Sequence, residues 1–162
     1  MCTDYKLSPH FTFSELTYTL HDELQEANRA DVTAHEEMAL RALCANILEP
    51  VRALFGVPLI IHSGFRCELL NSKVGGSDTS QHRKGEAADF HVRGLDDEDG
   101  ISHAFERIRK SAIPYGQLID EYNGRARWLH ISLGYPFREA SESGQKMLMR
   151  IVDGKTTYSR AL

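Results

Sequence analysis

Apolar residues at Leu40, Leu43, Ile47, Val51 and Leu54 recur every three or four positions and predict an amphipathic helix over residues 33–55. Thr33 followed three residues later by Glu36 has the form of a capping box at its start. Gly56 marks the stop, and Pro50 predicts a kink or interruption, because proline lacks the amide proton an α-helix needs. A second helix is predicted over residues 96–110, with Ile101, Ala104, Phe105 and Ile108 on one face. Upstream, residues 7–13 read as an extended segment and residues 14–16 as a short helical turn. Residues 58–63 and 87–92 read as strands, and residues 71–85 form a polar connection too poor in apolar positions to be a core element. The order, helices first and then strands around one later helix, predicts an α+β fold.

Residues 117–122 and 127–133 are β-prone runs around Asn123 and Gly124, a strong hairpin signal. With a two-residue turn there, Tyr122 pairs with Arg125, Glu121 with Ala126, Ile119 with Trp128 and Gln117 with His130. Facing alternates along each strand and partners share a face, so Glu121 and His130 point to one side and Asp120 to the other. A one-residue slip would reverse that choice. A further hairpin is expected over residues 146–158, turning at Asp153 and Gly154, after a polar loop over residues 139–145.

Composition narrows the class. The 162 residues are 41% hydrophobic and 26% charged, which fits an ordinary globular chain with enough length for a real core. They are expected to form one domain, with residues 1–15 as an extended leading segment and 139–162 as polar loop and terminal hairpin. A net charge of −4 and interrupted basic positions (Arg125, Arg127, Arg138) argue against a nucleic-acid partner. Cys2, Cys44 and Cys67 are odd in number and lack paired spacing, so they predict free thiols and a reducing compartment. The aliphatic run at residues 57–61 contains a proline and is too short to span a bilayer. The first residues show no basic stretch followed by an apolar one, so the expectation is a monomer made in the cytoplasm, without membrane insertion.

The chemistry-bearing residues lie in three stretches: Ser63 to Arg66, Ser80 to Asp89, and Trp128 to His130. His82 and Asp89 stand seven positions apart, and His130 lies on the predicted hairpin. Two imidazoles and a carboxylate, with a fourth position for water, suit a catalytic zinc ion, since imidazole favours borderline-soft metals. Glu121, on the face of His130, is the candidate to take a proton from water.

These residues resemble peptidase family M15, the zinc D-Ala-D-Ala carboxypeptidases and phage-type peptidoglycan endopeptidases, in its compact branch. The resemblance is carried by Ser63-Gly64-Phe65-Arg66, by Asn71 with Val74-Gly75-Gly76, and by Ser80 with His82, Gly85, Ala87 and Asp89. It continues through Gln117-Leu118-Ile119 with Glu121, and Trp128 with His130, spanning roughly residues 11–133. It implies a Hedgehog/DD-peptidase-like fold, a small antiparallel sheet that carries the zinc site with helices packed on it, and zinc held by His82, Asp89 and His130. It also implies that Arg66 grips a substrate carboxylate or carbonyl and that Ser80 lies near the polarised carbonyl. Many relatives place the catalytic acid three residues before the last histidine; here that position is Arg127, and the role passes to Glu121. The activity implied is hydrolysis of bacterial peptidoglycan peptides, as a phage or prophage endolysin released from the host cytoplasm. A D-Ala-D-Ala carboxypeptidase or dipeptidase, and a non-catalytic zinc-bearing wall-binding module, are the rival readings. His91 reads as a supporting residue, while His62 and Cys67 receive no role.

Overall fold

The structure, a computed structural model, describes residues 4–134, 145–152 and 155–160. The expected turn at Asp153 and Gly154, most of the polar loop (residues 139–144), Cys2 and Arg138 lie outside the described residues.

The chain opens with α1 (Phe13–Leu16) and α2 (Gln25–Ala30), then the long predicted helix arrives in three pieces. These are α3 (Ala34–Leu43), a π turn over Cys44–Leu48, and α4 (Glu49–Phe55). The Thr33–Glu36 capping box forms as read, and Gly56 ends α4 in the left-handed conformation with φ 71°. Pro50 explains the wider turn. In a regular helix its ring would collide with the carbonyl four residues back, and the π turn just before it absorbs the mismatch without ending the helix. Next come β1 (Leu59–Ser63), α5 (Glu68–Lys73), a 3-10 turn over Gln81–Lys84, β2 (Ala87–Val92) and α6 (Glu98–Arg109). Strands β3 (Tyr115–Tyr122), β4 (Arg127–Leu133), β5 (Gln145–Val152) and β6 (Lys155–Arg160) complete the order.

Mixed helix and sheet are thus present, as the α+β reading expects. The sheet runs β1-β2-β4-β3-β5-β6. Its first four strands are antiparallel, but β5 joins β3 in parallel, so the small antiparallel sheet of the sequence reading is extended by a terminal hairpin docked on its edge.

The two faces of the sheet differ. Ala88, Phe90, Val92, Leu118, Leu129 and Ile131 point into one hydrophobic core with Leu40, Leu43, Ile47 and Val51 from the long helix. Ile101, Ala104, Phe105 and Ile108 of α6 join them. The intervening residues, Asp89, His91, Glu121, Trp128 and His130, occupy the other face. A strand alternates by geometry, so burying one face under helices fixes which side chains the other face presents.

The β3–β4 register corrects the sequence reading. Tyr122 pairs with Arg127, Glu121 with Trp128 and Ile119 with His130, two residues away from the expected pairing. The cause lies in the loop. The Asn123 side-chain oxygen accepts from the amides of Arg125 (3.0 Å) and Ala126 (2.8 Å), and Asn123 N–H donates to the Ala126 carbonyl, closing a four-residue loop in place of a two-residue turn. A shift of two preserves facing, so Glu121 and His130 still share a side. Asp120 faces α6, where Nε and one terminal nitrogen of Arg127 donate to its carboxylate, Nε at 2.7 Å, and the same terminal nitrogen reaches Ser102 Oγ at 2.9 Å.

Candidate metal centre

Ser80 starts the 3-10 turn by accepting the His82 amide proton on its hydroxyl at 3.3 Å. That turn drops His82 over β2, where Asp89 stands directly opposite His130 in the β2–β4 register. Three atoms converge: His82 Nε2 lies 3.1 Å from Asp89 Oδ1 and 3.2 Å from His130 Nδ1, and His130 Nδ1 lies 2.9 Å from Asp89 Oδ1. All three residues are buried.

The far nitrogen of each ring is occupied, which fixes the tautomer. His82 Nδ1–H donates to the Gly64 carbonyl at 2.7 Å, leaving Nε2 bare toward the cluster. His130 Nε2–H donates to Gln81 Oε1 at 3.0 Å, so Nδ1 turns to the cluster, where the proton it carries in the metal-free chain goes to Asp89. Gly64 can deliver its carbonyl only because it is glycine: a Cβ there would sit 2.3 Å from the Leu16 carbonyl oxygen. The Phe65 amide donates to that same oxygen at 2.7 Å, so the close approach is built in.

Charge is concentrated here. Burial alone would raise the Asp89 carboxyl, but the two imidazoles, by charge and hydrogen bonding, hold it well below the usual carboxylate range. Burial lowers His82 below its ordinary value. Burial also works against the His130 proton, yet the Asp89 hydrogen bond and charge, with Glu121, lift that ring above its ordinary value. Burial, reinforced by the Asp89 charge, pushes the Glu121 carboxyl up to about 7.

Arg66 makes itself felt at His82, His130 and Glu121, and its buried Nε lacks a hydrogen-bond partner among the described residues. Its backbone is tightly held. The Arg66 amide donates to the His82 carbonyl at 3.1 Å, while buried Asn28 spans its neighbours, donating to Phe65 O (3.1 Å) and accepting from Cys67 N (2.7 Å). The Trp128 indole N–H, opposite Glu121, also lacks a partner of hydrogen-bonding geometry among the described residues, though it is near enough to temper the rise at Glu121. Tyr158 on β6 is in register with Met149, and Met149 with Glu121, which puts Tyr158 on the site face. Partial burial and the charges of Glu121 and Asp89 push its phenol up, so it stays a hydroxyl at neutral pH.

The structure therefore brings His82, Asp89 and His130 together, with Glu121 and Arg66 within electrostatic reach, and gives the Ser80 hydroxyl a capping task beside them. Sequence reasoning missed Gln81, Asn28 and Tyr158. Gln81 carried one local signal, adjacency to His82, whereas the other two act across long sequence separations. Cys44 and Cys67 are free and buried, and burial drives the Cys44 thiol up, away from a metal-ligating thiolate.

The donor set passes the test for zinc. Ligands ~2.0–2.1 Å from one tetrahedral ion lie roughly 3.3 Å apart, close to the separations found here, and each ring is oriented by an outer hydrogen bond. Among the described residues this is the group of three metal-capable side chains that converges. Fold and site together define a mixed helix–sheet protein with a two-histidine, one-carboxylate centre beside a raised carboxyl. A match over residues 9–132 to the family model described as Peptidase M15 makes the assignment specific: the chain belongs to peptidase family M15. No curated protein matches the chain. Among the described residues no helix is long and apolar enough to cross a membrane.

Proposed function

We propose that this chain is a zinc-dependent endopeptidase cutting peptide bonds in peptidoglycan stem peptides or cross-links, on a Hedgehog/DD-peptidase-like scaffold. The observation that carries the reading is Glu121: a carboxyl raised to about 7 on the same sheet face as three converging ligand atoms. Zinc, when bound, supplies Lewis-acid polarisation of the scissile carbonyl and acidification of the attacking water. Glu121 accepts a proton from that water as its oxygen attacks the carbonyl carbon, then delivers it to the amine nitrogen as the C–N bond breaks. Arg66 offers a planar guanidinium to the substrate carboxylate or carbonyl, held in place through Asn28 and His82. Gln81 and Gly64 keep the two imidazoles in the tautomers that face the ion.

A cavity of about 950 Å³ runs past Asp89 and Trp128, with room for several residues of peptide, which favours an endopeptidase over a carboxypeptidase. The free thiols fit a phage or prophage endolysin made in the cytoplasm and acting after release. Incubating zinc-loaded protein with muropeptides tests the proposal: mass spectrometry should find new internal amine termini. Release of terminal D-Ala alone would assign a carboxypeptidase, and no product at all would refute both. Glu121→Ala should abolish turnover with zinc retained, whereas a wall-binding module would be indifferent to it.

A further inference from the structure

The same cavity has a second wall, and it holds a pair of histidines that the centre does not use. His62 Nε2 and His91 Nδ1 are 2.7 Å apart, with ring centroids separated by 4.8 Å. Both side chains line the cavity together with Asp89 and Trp128. The pairing is not an accident of a regular ladder. Ile61 pairs with Phe90 and Ser63 with Asp89, so His62 is the extra residue of a β-bulge in β1. Bulges re-aim side chains and recur beside active sites.

Two neutral imidazoles that share one N–H between facing nitrogens leave a definite pattern outside. If His62 Nε2–H donates, His62 Nδ1 is bare and His91 Nε2 carries a proton; if His91 Nδ1–H donates, the two outer roles exchange. Either way the pair presents one donor and one acceptor. Neither outer nitrogen has a hydrogen-bond partner among the described residues. A peptide group carries the complementary set, one N–H and one carbonyl. We propose that the His62–His91 pair is a substrate subsite that binds a main-chain amide of the peptide beside the scissile bond. The pair's polarity reverses when the shared proton crosses from one ring to the other while solvent takes the outer proton from the receiving ring and returns one to the outer nitrogen of its neighbour, so it accepts that amide in either orientation. The proposal rests on the peptidase reading.

Trp128, the single tryptophan of the chain, lines the same cavity and reports binding by its fluorescence. The experiment titrates a synthetic stem pentapeptide into zinc-loaded Glu121→Gln protein, with and without His62→Ala, and runs steady-state kinetics on His62→Ala with Glu121 intact. His62→Ala should raise Kd and KM about 3- to 10-fold, the scale of one or two neutral hydrogen bonds, with kcat unchanged. His62→Gln, whose amide offers both a donor and an acceptor, should recover most of the loss. An unchanged Kd in His62→Ala overturns the subsite even if turnover is normal. Zinc content should be one ion per chain in every form; a second ion lost with His62→Ala would assign the pair to a metal and also overturn it. Peptide binding that depends on His62 without any wild-type cleavage would sink the peptidase reading and leave the subsite standing.

Discussion

Glu121→Gln should make the metal-free protein more stable, and only at neutral and alkaline pH. A carboxyl at about 7 in the folded chain and 4.5 ordinarily holds its proton better when folded. Below pH 4.5 it is protonated in both states and costs nothing. As pH rises, the unfolded chain ionises first and folding is penalised, until the penalty levels off above pH 7. The gap of about 2.5 pH units, at ~1.36 kcal/mol each, gives roughly 3 kcal/mol as an upper scale. Glutamine keeps the shape and cannot ionise, so the variant escapes this cost. Urea denaturation of chelator-treated wild type and Glu121→Gln at pH 4.5 and pH 8 is the assay. The variant should gain about 1–3 M in urea midpoint at pH 8, given m of ~1–3 kcal/mol/M, and little at pH 4.5. Zinc should shrink the gain, since a dication beside Glu121 favours the ionised form, while turnover by the variant falls by about 10²–10⁴. A variant no more stable than wild type at pH 8, or equally stabilised at both pH values, would refute the claim that partial burial and the Asp89 charge raise the Glu121 carboxyl.

The remaining expectations concern the ligands. His130 holds a proton above its ordinary value in the metal-free chain, and zinc must displace it; competition titrations should therefore show affinity weakening about tenfold per pH unit on the acid side of neutrality, whereas a flat profile between pH 5 and 7 would contradict the assignment. Gln81→Ala removes the acceptor for His130 Nε2–H and should cost ~10–100-fold in zinc affinity, measured by the same titration, with an unaltered circular dichroism spectrum. Gly64→Ala places a methyl 2.3 Å from the Leu16 carbonyl oxygen and should cost about 1–3 kcal/mol in thermal or urea unfolding, together with weaker zinc binding as the Gly64 carbonyl leaves His82.

What could be read from the chain alone follows a physical boundary. The α3 cap, the Gly56 stop, strand β2 and the buried stripe of α6 are local: their signals lie within one or two turns of the residues they organise. Strand alternation is strict, so the shared face of Glu121 and His130 survived a register misplaced by two. The short helices α2 and α5 were not read, because six residues are too few to show a period and such helices depend on tertiary contacts. The composition and spacing of His82, Asp89, His130 and Glu121 determined by themselves which chemistry was available. Only the tertiary structure decided that three ligand atoms meet within about 3 Å, that Gln81 and Gly64 orient them, that Asn28 steadies Arg66, and that a bulge turns His62 onto His91. Apart from His82 and Asp89, which are 7 positions apart, those are contacts between residues 18 to 49 positions apart, and no local pattern encodes a distance that the packing of the whole sheet must set.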